Sequence, residues 1–140
     1  MSIIKWRDSY NTGVEQFDRE HHKLVELIGV MFEVVRDKSG KEMVQQAYQD
    51  ILSYTEYHFA NEEQAMEAAN YPDFEEHLAA HAKLKNEVQK FQASIENNFL
   101  EGSAEFYHFL RNWLIDHILN CDQKYGPCLK NRADADHASR

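Results

Sequence analysis

The stretch "HFANEEQAMEAANYPDFEEHLAAH", residues 58–81, places His58 four residues before Glu62 and His77 four residues before His81, with Tyr71-Pro72-Asp73 between the pairs. Residues four apart lie one above the other on a single helix face. Proline cannot continue a helix, so Pro72 divides the stretch into the end of one helix and the start of the next. Each helix therefore carries two metal-type side chains to the same turn. A lone histidine on an apolar stripe is ordinarily a satisfied core residue. Three imidazoles and a carboxylate flanking one turn need a shared explanation.

Working outward, apolar residues recur at helical spacing over four segments. The first spans about Asp18–Asp37, with Phe17, His21, Leu24, Ile28, Met31 and Val35 on one stripe, and Ser39-Gly40 ends it. The second spans about Lys41–Ala69, with Val44, Ala47, Ile51, Tyr54, His58 and Glu62 in line. The third covers about Phe74–Asn98 through His77, His81, Leu84, Val88, Phe91 and Ile95. Gly102 separates it from a fourth, about Ser103–Lys124, where Phe106, Leu110, Trp113 and His117 share a face. Gly126-Pro127 is expected to close that helix, and residues 131–140 read as a disordered tail. No strand-like alternation of useful length appears.

Long helices with short connections favour antiparallel neighbours, so the expected fold is all-α, an up-down-up-down four-helix bundle over residues 1–130 with an N-terminal arm. In that topology the starts of odd helices and the ends of even ones meet at one level. His21, His58, His77, His81 and His117 all fall there, with Glu62 beside His58. Unpartnered, each buried polar group would cost on the order of 1–3 kcal/mol. Metal coordination satisfies them together.

Asp122, five residues after His117, is the natural second carboxylate, but its phase is wrong. Five steps of about 100° leave it roughly 140° from His117. A bulged turn or a fraying helix end would have to bring it round. Spacing alone leaves Asp122 open between ligand and solvated aspartate. The other histidines miss the site: His22 is about 100° from His21, His108 points to the opposite face, and His137 is in the tail.

Seven side chains exceed the four that close a structural zinc site, so two metals are indicated. Imidazoles with carboxylates suit iron, and bridging carboxylates plus a bridging oxygen leave one coordination position for a small exogenous ligand.

Composition narrows the partners. The chain has 140 residues, 43% of them apolar, and a formal net charge of −9, which weighs against nucleic acid or an anionic membrane as partner. No apolar run suggests a signal peptide or membrane span, so a cytoplasmic protein is expected. Cys121 and Cys128 match no zinc or redox spacing and read as incidental thiols.

Four stretches carry a family resemblance: "WRDSYNTGVEQFDREHHKL" (6–24), "HFANEE" (58–63), "YPDFEEHLAAH" (71–81) and "WLIDHILNCD" (113–122). Together they resemble the hemerythrins, and most closely the single-domain bacterial ones. The resemblance implies that His77, His81 and His117 bind one iron and that His21 and His58 bind the other, which keeps the open position. Glu62 and Asp122 would bridge the two ions together with an oxo or hydroxo group. It also implies reversible O2 binding for transport, storage or delivery, without a catalytic side chain. Trp113 resembles the family's pocket-wall tryptophan, and Leu24, Ile28, Phe59 and Leu114 are further wall candidates that would shield bound ligand from water.

Two rivals use the same site. A di-iron enzyme of the ferritin type would place Glu three residues before its ligating histidines, and none of the five core histidines has one; Asp18 before His21 is the nearest analogue. An O2, NO or redox sensor would want an output domain, for which the length leaves no room. Docking on an oxygen-consuming protein remains compatible with the acidic surface.

Overall fold

The computed structural model describes residues 4–138, with side chains through residue 130 apart from Leu119. Four long helices, α1 (Glu15–Arg36), α2 (Lys41–Ala68), α3 (Phe74–Asn97) and α4 (Phe99–His117), form the bundle. A π-helical turn, Ile118–Asp122, then leads into α5 (Gln123–Ala138). α1 packs on α2 and α4, and α3 packs on the same two helices. That neighbour order is the up-down-up-down arrangement.

The helices end for identifiable reasons. After α2 the chain turns through Asn70 at φ 54°, with Tyr71 N–H bonded to Met66 C=O and Asn70 N–H to Glu67 C=O. This paired closure satisfies two of the last carbonyls with one left-handed residue. α1 ends the same way at Lys38, φ 50°, with Ser39 N–H on Val34 C=O and Lys38 N–H on Val35 C=O. Gly40 is thus the residue before α2 rather than the stop of α1.

Two glycines read as helix breaks are nothing of the kind. α4 begins at Phe99, where the Asn98 side chain caps Glu101 N–H at 3.2 Å. Gly102 lies inside the helix because a Cβ there would sit 2.7 Å from the Ser94 carbonyl oxygen. The chain likewise does not stop at Gly126-Pro127. α5 runs through both to Ala138, so most of the expected tail is helical in backbone, while residues 139–140 lie outside the described residues. A Cβ at Gly126 would overlap the Thr12 carbonyl oxygen. Pro127 removes one helical hydrogen bond, and the buried packing of Tyr125 and Leu129 on either side holds the helix together across it.

The interior falls into two apolar clusters. The larger fills most of the bundle and includes Leu24, Ile28, Met31, Ile51, Val88, Phe106 and Leu110. The smaller comprises Phe17, Met66, Tyr71, Tyr125 and Leu129 at the end where α1 starts, α2 ends and α5 begins. The polar residues of interest lie between them.

Candidate metal centre

All seven candidate ligands meet at this level. Glu62, His77, His81, His117 and Asp122 form one group and His21, His58, Glu62 and Asp122 a second, with donor atoms within 4.8 Å of one another in each. Every member is buried. Both carboxylates belong to both groups. Asp122 directs Oδ1 towards His77 Nε2 (2.9 Å) and His117 Nε2 (2.8 Å), and Oδ2 towards His21 Nε2 (2.8 Å). Glu62 Oε1 lies 3.3 Å from both His58 Nε2 and His81 Nε2, and its Oε2 lies 3.4 Å from His21 Nε2.

Asp122 arrives by the π turn. The wide turn absorbs one extra residue between His117 and the start of α5, and this corrects the helical phase that would have turned the carboxylate away. The bulge is local: α4 and α5 on either side are ordinary α-helix.

The donor set fits metal cations on a direct observation. His21 Nδ1 and Nε2, His77 Nε2, Glu62 Oε1 and both Asp122 oxygens are buried without a hydrogen-bond partner, although nitrogens and oxygens approach within 3 Å. Short contacts that lack hydrogen-bond alignment arise when lone pairs point at common positions between the residues. A buried group of this kind is costly unless a cation satisfies it.

Electrostatics agree. Burial opposes charge throughout, but the neighbours win at most positions. His58 is pushed up to about 10 by Glu62 and Glu20 against the pull of burial. His117 is likewise pushed up to about 10 by Asp122. At His81 burial prevails and lowers the imidazole to about 4. Glu62 and Asp122 are held well below the carboxylate range by the imidazoles facing them, despite complete burial. The metal-free centre thus keeps its carboxylates ionised and balances them with protons on imidazoles, the charge that bound cations would replace.

Two supporting residues escaped the sequence reading. Glu20 accepts from His58 Nδ1 at 2.6 Å and from the amides of Asn61 and Gln16, each at 3.0 Å. A carboxylate behind a ligating histidine fixes the ring and raises its basicity. Its signal was available: Glu20 falls on the Phe17–Leu24 stripe, three and four residues from its ends, where a charged residue is out of place. Tyr125, fully buried, donates its hydroxyl to Glu62 Oε2. No signal marked it, because the helix was read as closing at the next residue.

Among the wall candidates, Phe59 stacks on the His81 ring at 3.7 Å and 3°. Trp113 is partly buried and lies 5.3 Å from His117 and 5.8 Å from Phe59 between ring centroids. Leu24, Ile28 and Leu114 are buried in the main cluster. His22 is exposed, stacked on Trp6 at 3.9 Å, and His108 is exposed beside Tyr107. The His137 side chain lies outside the described residues. Cys121 and Cys128 are free and partly buried.

Comparison with known proteins matches this geometry. Residues 12–129 fit a family model described as the hemerythrin HHE cation binding domain, which defines the class as a helical cation-binding protein. The chain belongs to the hemerythrin family. A bacteriohemerythrin of Stenotrophomonas maltophilia is 30% identical over 133 residues, covering 93% of this chain and 84% of the relative. One from Methylococcus capsulatus is 28% identical over 130 residues, covering 92% and 98%. The crystal structure of a wild-type hemerythrin superposes with a TM-score of 0.79 at 26% identity, covering 92% of this chain and 99% of that one. Hemerythrins bind non-haem iron and are in general O2 carriers rather than enzymes. No helix among the described residues is long and apolar enough to cross a membrane.

Proposed function

We propose that the chain binds O2 reversibly at a pair of non-haem iron ions, as a cytoplasmic carrier, store or delivery protein. His77, His81 and His117 would hold one ion, His21 and His58 the other. Glu62 and Asp122 would bridge them together with an oxo or hydroxo group. When bound, an iron pair would supply the redox chemistry for taking up O2. The protein's share is to fix the donors, exclude water and keep the site dry.

One observation carries this reading: each of two buried, ionised carboxylates is shared between two groups of imidazoles. Such sharing supports a dinuclear reading, since a structural zinc site closes with four ligands and needs no shared carboxylates. Glu20 keeps His58 oriented, Tyr125 keeps Glu62 oriented, and Phe59 and Trp113 cover the imidazoles of the three-histidine group. An apolar cover slows the loss of bound ligand to water and so favours release of O2 unchanged. The functional unit is residues 1–130. A protein that consumes oxygen is a fitting partner for the acidic surface.

Elemental analysis of the anaerobically reduced protein, followed by ultraviolet–visible spectra through cycles of O2 addition and removal, tests the proposal. Two irons per chain and a band that appears and vanishes with O2 support it. Zinc alone, or a spectrum indifferent to O2, overturns it. Steady O2 consumption coupled to a substrate would put a di-iron enzyme in its place, and an O2- or NO-dependent change in quaternary state would put a sensor there.

A further inference from the structure

We propose that the close contact between the Thr12 backbone and Gly126 is a positioning device for the two shared carboxylates. It sets the rotation of the first turn of α5 and so holds Asp122 and Tyr125 against the centre. The inference rests on the reading of Glu62 and Asp122 as ligands.

The reasoning starts from the π turn. Such turns are rare and give poorer backbone geometry than α-helix, so something must hold this one open. If Ile118–Asp122 relaxed to α-helix, Asp122 would rotate away from His21 and His77, and every residue of α5 would turn with it. Three residues at the junction of the π turn and α5 do separate jobs in succession. Asp122 meets three imidazoles, Tyr125 donates to Glu62, and Gly126 lies against the Thr12 carbonyl. Rotation of the turn therefore disturbs both carboxylates at once.

The contacts of Asp122 with the imidazoles cannot be the whole restraint, because both of its oxygens lack a hydrogen-bond partner. The outward contacts are of a different kind. Gln123 donates its side-chain amide to the Ser9 carbonyl, and Gly126 packs so closely on Thr12 that no side chain fits between them. The surface they press on is itself fixed. Thr12 donates N–H and Oγ1–H to Asp18 Oδ1 at 2.7 and 2.8 Å, Gly13 N–H reaches Asp18 Oδ2 at 3.3 Å, and Gly13 takes φ +90° to make that turn. Asp18 is on α1, three residues before His21. The arm thus ties the start of α5 to the helix that carries a histidine of the second group. The rotation of α5 is set relative to α1 by backbone contact, before any cation enters.

The test compares full-length Gly126→Ala, Asp18→Ala and the double variant with wild type. Gly29→Ala serves as control, since a Cβ there meets nothing within 4 Å. Amide hydrogen exchange is followed on metal-free protein, and Fe(II) transfer to a ferrous chelator on reconstituted protein under nitrogen. Gly126→Ala is expected to speed exchange of the 118–122 amides about tenfold or more and to speed Fe(II) release about 10–100-fold, the range for loss of outer-shell support. Asp18→Ala should accelerate the same amides, although they lie on another helix. Because both changes break one linkage, the double variant should be no worse than the more severe single one, whereas independent structural defects would add. Wild-type exchange at 118–122 in both single variants, or additive effects in the double, overturns the inference. The exchange measurement needs no metal, so it decides the mechanical coupling even if wild type takes up no iron, an outcome that would instead sink the proposed function. Should Gly126→Ala fail to fold, Asp18→Ala alone decides: unchanged exchange at 118–122 refutes the coupling.

Discussion

Replacing Tyr125 by Phe removes one hydroxyl and leaves the ring, so its effect isolates the bond to Glu62. The ring stays packed on Phe17, 5.6 Å between centroids, and within the small apolar cluster. No cavity larger than an oxygen atom opens. What is lost is a hydrogen bond to a carboxylate that is fully buried and ionised, and whose other oxygen has no hydrogen-bond partner. Hydrogen bonds to charged groups contribute about 1.5–3 kcal/mol, and the value here belongs at the upper end because solvent cannot replace the donor. An unfolding entropy of about 2.1 cal/mol/K per residue, over 140 residues, gives roughly 0.3 kcal/mol per degree at the midpoint. The metal-free variant should therefore melt about 7–10 °C below metal-free wild type, by differential scanning calorimetry at pH 7. In the iron-loaded protein the gap should shrink, since a cation then shares the charge on Glu62. A metal-free difference under about 1 °C, or a gap that widens on loading, would refute the assignment of Tyr125 as the support of Glu62.

Other expectations follow from the same geometry. His77→Ala removes one donor from the group containing His81 and His117, so elemental analysis should show loss of iron, whereas His22→Ala, whose ring stacks on Trp6 away from the centre, should keep both irons; the reverse pattern would contradict the helical phase. Glu20→Gln preserves shape but removes the charge facing His58 Nδ1, and competition with a ferrous chelator should show affinity lower by about tenfold or more. Metal-free stability should fall as pH rises. His58 and His117, near 6.5 when unfolded and raised to about 10 when folded, contribute fully below pH 6.5 and lose that contribution as pH climbs through 10. His81 is neutral in both states above pH 6.5 and does not alter this sign. Thermal melts of metal-free protein across pH 6.5–10 check the trend. At pH 7, Fe(II) loading should release protons from His58 and His117, measurable by calorimetry in buffers of different ionisation enthalpy; loading without proton release would contradict the charge balance.

The four helical segments were legible because their apolar residues keep one period over about three to five turns. The convergence of five histidines was legible too, since it follows from topology alone: starts of odd helices meet ends of even ones. Contacts across the chain were not. Gly102 and Gly126 carry the propensity of helix breakers, and only the tertiary structure reveals what each adjoins: the Ser94 carbonyl for one, the Thr12 carbonyl for the other. In both cases the missing side chain permits close approach inside a continuing helix. The error at Gly126 had a second effect, because ending the helix there put Tyr125 outside the packed core.

Asp122 shows where a sequence conflict is itself informative. Ideal geometry turned its carboxylate about 140° from His117, while the donor count asked for it at the centre. Only a local change of helical pitch reconciles the two, and the π turn at Ile118–Asp122 supplies one extra residue at that place. A residue that chemistry requires and periodicity forbids therefore marks a site of backbone irregularity. Such irregularity needs support from outside the helix, and this chain places a buried tyrosine and a side-chain-free contact with the N-terminal arm within four residues of the carboxylate. By the same logic, a carboxylate five residues after a core histidine in a related helix should be accompanied by a small residue one turn further on, wherever another segment of backbone crosses there.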